Sequence, residues 1–198
     1  FVADDPIGGV WLMLWKGAGV GFLALYAAFR TRGFDGLLIA GALTLGALGD
    51  VTLEISFLIG GALFALGHAV AIILYLRNRR ASTSSSQILA GGSLLLLTPL
   101  IAGLIAYPLP NWIVATAYSA VVGGMAAAAW TSRFPRYRVG LGAVMFVVSD
   151  LLIFAREAAA LPDFVTAWTI WPLYFGGQFL IATGVVQTLR MDQRPRKT

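Results

Sequence analysis

The stretch GFDGLLIAGALTLGALGDVTLEISFLIGGALFALGHAVAIILYLRNRR, residues 33–80, decides the fold. It holds two apolar runs, about residues 34–54 and 56–76, parted by one short polar break and closed by the basic cluster RNRR. Runs of ~20 residues at ~1.5 Å rise per residue cross a hydrocarbon layer ~30 Å thick. Two such runs with so short a turn predict a transmembrane helical hairpin. The first carries Asp50 at the end of GALTLGALGD. A second acid, Asp150, interrupts the later run GAVMFVVSDLLIF. An ionised Asp in mid-helix costs ~2.5–3.5 kcal/mol on insertion scales, so each is read first as a functional residue. Burial favours the neutral, proton-carrying form of such a carboxyl.

The same pattern recurs outward from the hairpin. Further spans are predicted over about residues 7–29, 87–106, 111–131, 139–159 and 164–189, so the chain reads as an all-α integral membrane bundle of seven transmembrane helices in a single domain, residues 1–198. Composition agrees: 59% of residues are hydrophobic and only 12% charged, against roughly 25% charged in ordinary soluble domains. The absence of cysteine excludes disulfides and thiolate metal sites and leaves the redox compartment open. A net charge of +5 would suggest nucleic acid in a soluble protein. Here the basic residues sit mostly in loops and tail, where anionic lipid head groups explain them better. Residues 1–9, FVADDPIGG, carry neither the basic leader nor the apolar stretch of a signal peptide.

Loop charge predicts orientation. With seven spans, Arg30/Arg32, Arg77/Arg79/Arg80, Arg133/Arg136/Arg138 and Arg194/Arg196/Lys197 fall on one side. The opposite loops carry Asp4, Asp5, Asp163 and proline turns. The bias sets the N-terminus outside and the C-terminus in the cytoplasm, as expected for a multi-pass protein of the cell (inner) membrane. Glycine is abundant, and Gly17/Gly21, Ala42/Gly46, Gly123/Gly124 and Gly176/Gly177 are expected to mark close helix contacts.

Few ionisable residues lie well inside the spans: Lys16, Asp50, Glu54, His68, Asp150, and Arg156/Glu157 near an end. Asp35 is placed at an interface. Helical spacing puts Asp50 with Glu54, Phe64 with His68, Phe146 with Asp150, and Tyr174 with Gln178 on shared faces. Most have an ordinary structural explanation. Lys16 would form an ion pair with an aspartate, His68 and Gln178 would hydrogen-bond between helices, and Glu54 and Arg156/Glu157 would sit in the head-group region. Lys16 can neutralise only one negative charge, so the two aspartates stay unexplained. A metal site from His68, Asp50, Glu54 and Asp150 is a poor donor set for zinc, and HExxH is absent. Ser149 adjoins Asp150, but GxSxG is absent. Seven spans suggest a rhodopsin, yet the last span has no lysine for a Schiff base.

These motifs in their order resemble the YhhN-type lysoplasmalogenase family. The first signature matches Gly49, Asp50, Phe57, Gly60, Phe64 and His68. The second matches Gly142, Ala143, Phe146, Ser149 and Asp150, and the last Tyr174 and Gln178. Tyr118 and Met125 fit a weaker pattern between them, and Lys16 resembles the lysine of an early Lys-Pro motif in which Gly17 replaces the proline. Family members are usually drawn with eight spans, and the additional one would precede Lys16. This chain is expected either to have lost that helix or to start after it.

The resemblance implies a membrane hydrolase that cleaves the vinyl ether bond of lysoplasmalogen to a fatty aldehyde and a glycerophospho-ethanolamine or -choline. Such chemistry calls for one protonated carboxyl and one anion, which makes Asp50 and Asp150 the expected catalytic pair; either could be the acid, with Asp150 favoured. Lys16, His68, Tyr118, Ser149, Tyr174 and Gln178 are the candidates for holding substrate. No metal or other cofactor is needed, and the expected partners are the lysophospholipid and the bilayer, with no nucleic acid. The competing expectation is a lipid or small-molecule transporter whose buried acids relay protons, with a helix break at Trp171-Pro172. A purely structural or sensory bundle is the third.

Overall fold

Lipid offers no partner to a bare N–H or C=O, so runs this apolar satisfy their backbone as helices. The computed structural model describes residues 6–193. Seven helices follow one another: α1 Pro6–Arg30, α2 Gly33–Leu53, α3 Phe57–Arg77, α4 Ser85–Ala106, α5 Trp112–Thr131, α6 Leu141–Glu157 and α7 Asp163–Asp192. Six of them, α2 to α7, are long and apolar enough to cross a membrane, α6 together with the turn before it. The chain is a multi-pass membrane protein. The expectations on Asp4, Asp5, Arg194, Arg196 and Lys197 lie outside the described residues.

Most boundaries fall within a few residues of those expected, and the exceptions have local causes. α4 starts before Gln87 because Ser84 and Gln87 form a reciprocal capping box. The basic stretch before α6, expected to be loop, is a π-helical turn, Arg136–Gly140, that runs directly into the helix. α6 ends in a Schellman turn: Ala160 N donates to Ala155 O and Ala159 N to Arg156 O. The pivot, Ala159, has φ 51°, a left-handed value that usually favours glycine. α7 runs unbroken through Pro172, so the break expected at Trp171-Pro172 is not there. Asp50 lies in the last turn of α2 rather than in mid-helix.

Helices α1, α2, α3, α5, α6 and α7 form a ring in that order, closed by the contact of α7 with α1, while α4 leans on α5 and α6 from outside. Glycines set the closest approaches. A methyl built on Gly142 would lie 2.6 Å from Gly177 O, and one on Gly177 would lie 2.6 Å from Gly142 O, so α6 and α7 touch backbone to backbone. Gly123 meets Leu94 O and Thr98 in the same way, and Gly17 meets Val51. Gly21 is different: nothing lies within 4 Å of its added methyl. Outward, Trp15, Phe22 and Phe29 follow one stripe of α1 and are exposed. In a membrane protein such a face meets acyl chains rather than water.

The described basic loops gather at one end of the ring. Arg133 N donates to Asn78 O, Arg133 Nε to Asn78 Oδ1, and Arg80 to Ser132 O. Arg133 also pairs with Asp192 at 2.7 Å. Asp35 accepts from Arg77 Nε and Asn78 Nδ2 at the same end. The loops at the opposite end, residues 54–56, 107–111 and 158–162, contain no basic residue.

Candidate active site

The bundle opens at the end without basic loops into a cavity of about 1060 Å³. Ligand cavities commonly run to ~300–1,000 Å³, so this one is large. α2, α3, α5, α6 and α7 wall it, and Lys16 of α1 reaches its edge. Asp50 and Asp150, a hundred residues apart in the chain, both line it.

Each carboxyl holds a phenol. Tyr174 Oη donates to Asp50 Oδ2 at 2.7 Å, and Tyr118 Oη donates to Asp150 Oδ2 at 2.8 Å. Both acids are largely buried, 8% and 7% exposed. A buried carboxyl without a partner is costly, and each tyrosine removes part of that cost. In each pair the phenol engages one carboxyl oxygen.

An aromatic floor joins the two pairs. Phe146 packs edge-on to Tyr174 at 5.3 Å, His68 to Phe146 at 4.6 Å, and Tyr118 to His68 at 6.1 Å. Phe64 braces it against Tyr174 and Phe146. Edge-to-face contacts of this kind are individually worth about 0.5–1.5 kcal/mol beyond area burial. They hold the two phenols in place.

The other expected residues divide. Lys16, Tyr118 and Tyr174 line the cavity. Lys16 pairs with Glu54 at 2.9 Å rather than with an aspartate. The His68 ring is itself part of the floor, and His68 and Gln178 line a second, small chamber rather than the cavity. His68 therefore does not converge with Asp50, Glu54 and Asp150 as a metal set would require. Ser149 is fully buried and donates to Phe146 O at 2.7 Å, so its hydroxyl is spent on its own helix. Arg156 and Glu157 form the expected side-by-side pair at 3.4 Å, at the cavity mouth.

Sequence reasoning overlooked Phe154 and Trp171 as cavity walls. Both were within reach of helical spacing, since Phe154 is one turn from Asp150 and Trp171 nearly one turn from Tyr174. Asn111 at the mouth left no such signal, because only the loop geometry brings it there.

No curated protein and no solved structure matches the chain significantly. The model of the YhhN family matches residues 11–185, a span that holds both acids, both phenols and the floor between them. The chain belongs to the YhhN family.

Proposed function

We propose that this protein is a membrane hydrolase of lysoplasmalogen, cleaving the vinyl ether to a fatty aldehyde and a glycerophospho-ethanolamine or -choline. One observation carries the reading: two buried carboxyls from distant helices, each bound to a phenol on one oxygen, face one open lipid-sized cavity.

Asp150 is the acid. Its neighbours are Tyr118 and the aromatic floor, surroundings that suit a neutral carboxyl. It gives its proton to the outer carbon of the vinyl ether, and the carbon bearing the ether oxygen becomes an oxocarbenium ion. Asp50 is the anion that faces this cation, in a wall that also carries Lys16. The π faces of Phe64 and Tyr174 add to the same stabilisation. Water adds to the cationic carbon and its proton returns to Asp150. The resulting hemiacetal collapses: its hydroxyl becomes the aldehyde carbonyl, and the glycerol oxygen leaves with a proton. The sum is vinyl ether plus water to aldehyde plus alcohol. Two carboxyls dividing the roles of acid and stabilising anion is the logic of glycoside hydrolysis.

Lys16 and Arg156, with Glu54 and Glu157 beside them, line the mouth where a zwitterionic head group would rest. The tail lies on the apolar wall of α3 and α5. With the basic end in the cytoplasm, the mouth opens on the outer side of the cell membrane.

The test is aldehyde release from lysoplasmalogen by the purified protein in nanodiscs. General acid catalysis contributes typically ~10²–10⁴-fold, and Asp150→Asn should lose that much. Asp50→Asn should lose comparable activity. Wild-type rates in both variants would sink the proposal.

A further inference from the structure

Each wall of the site continues one helical turn deeper into the bundle. Gly46 lies below Asp50, His68 below Phe64, Phe146 below Asp150 and Gln178 below Tyr174, all at a spacing of four. The deeper residues line a separate chamber of about 30 Å³, and Phe64 is the wall common to both spaces.

Two residues that line this chamber each carry a buried polar atom with no hydrogen-bond partner among the described residues: His68 Nε2 and the Tyr75 hydroxyl. Leaving such a group dry costs about 1–3 kcal/mol. Both residues belong to α3, with Tyr75 two turns after His68. Helical side chains lean back toward the N-terminus, so the long Tyr75 side chain reaches toward the level of His68. The Gln178 amide borders the same space; its Nε2 lies 3.4 Å from where a methyl on Gly46 would stand. A water needs ~10–15 Å³ of such volume and two to four polar partners. This chamber supplies room for one or two waters and three polar side chains.

We propose that the lower chamber is a water-binding site, with His68, Tyr75 and Gln178 as its anchors, and that it stores the water which attacks the cation above. Water passes from the store to the cavity beside the Phe64 ring. The storage role rests on the hydrolase reading; the water site does not. The floor keeps the apolar tail out of the chamber, and the chamber keeps a nucleophile ready in a cavity that a lipid tail fills.

X-ray radiolytic footprinting of the full-length protein in nanodiscs reads bound water directly. Met125 and Tyr75 line the chamber and are each 1% exposed. Both should be oxidised in the wild type, and the labelling should be lost in Gly46→Ala, whose methyl meets its neighbours at ordinary contact distances of 3.4–3.9 Å. Labelling no higher than at other fully buried side chains would overturn the site. Tyr75→Phe gives an independent sign. It lowers Tm if the hydroxyl anchors water, and raises Tm if the hydroxyl is dry, which would also overturn it. For the storage role, Gly46→Ala should lower kcat for lysoplasmalogen at unchanged KM. An unchanged kcat with lost labelling would overturn storage alone. A wild-type protein inactive on lysoplasmalogen but labelled at Met125 would refute the hydrolase reading and leave the water site standing.

Discussion

The hydroxyl of Tyr118 offers the sharpest probe of which acid gives up the proton. It donates to Asp150 Oδ2 at 2.8 Å, while its ring packs edge-on to His68 and Phe154. Tyr118→Phe removes one oxygen and keeps the ring. A hydrogen bond contributes ~0.5–1.5 kcal/mol when both partners are neutral and ~1.5–3 kcal/mol when one is ionised. If Asp150 starts neutral and ends ionised as the vinyl ether takes its proton, the bond strengthens by about 1–1.5 kcal/mol along that step. Only an interaction that grows toward the transition state affects kcat. At about 1.36 kcal/mol per tenfold, its removal lowers kcat by roughly 5- to 13-fold. KM stays near the wild-type value, because the hydroxyl is bonded to Asp150 rather than to substrate. Steady-state aldehyde release over a range of lysoplasmalogen concentrations in nanodiscs separates the two parameters. An unchanged kcat with a raised KM would refute the positioning role and make Tyr118 a substrate contact. No change in either would mean that Asp150 does not ionise in the slow step.

Four further outcomes follow from the geometry. Lys16 and Glu54 form a partly exposed pair, 27% and 30% by side chain, of a kind worth ~0–1 kcal/mol; Lys16→Met should therefore leave Tm nearly unchanged while raising KM for a phosphate-bearing substrate, and an unchanged KM would remove Lys16 from the head-group site. Gly177→Ala drives a methyl to 2.6 Å from Gly142 O and should destabilise by about 1–3 kcal/mol, read as a lower Tm, whereas Gly21→Ala, which meets nothing within 4 Å, should be neutral or better. Ser149→Ala should keep wild-type activity, since its hydroxyl is spent on Phe146 O; loss of activity would reopen serine chemistry. Ala159→Gly relieves a left-handed residue in the turn after α6 and should raise stability by about 1 kcal/mol, with an unchanged Tm counting against strain there.

The fold was largely legible because lipid leaves few alternatives: the apolar runs of α2 and α3 differ from their expected bounds by about a residue. Misreadings came where charge was taken as a mark of loop. Arg136 and Arg138 sit in helical backbone ahead of α6, since long basic side chains can reach the interface from within a helix. The spacing of four that united Phe64 with His68 and Tyr174 with Gln178 was read correctly as one face. It could not reveal that the members of each pair line different spaces, Phe64 and Tyr174 the cavity but His68 and Gln178 only the smaller chamber. That division depends on the depth at which neighbouring helices contribute Phe146, which no single helix records. Ser149 was likewise ambiguous, because an intrahelical bond to Phe146 O and a bond to substrate call for the same residue. Asp50 and Asp150 stood out for a simpler reason: lipid makes an acid conspicuous.

The mouth of the cavity and the arginine-rich loops occupy opposite ends of the bundle. If those loops face the cytoplasm and lysoplasmalogen is the substrate as proposed, lysolipid in the outer leaflet would reach the mouth without crossing the membrane. The water-soluble fragment would be shed on that same side, and the aldehyde would stay in the bilayer, free to partition to enzymes within.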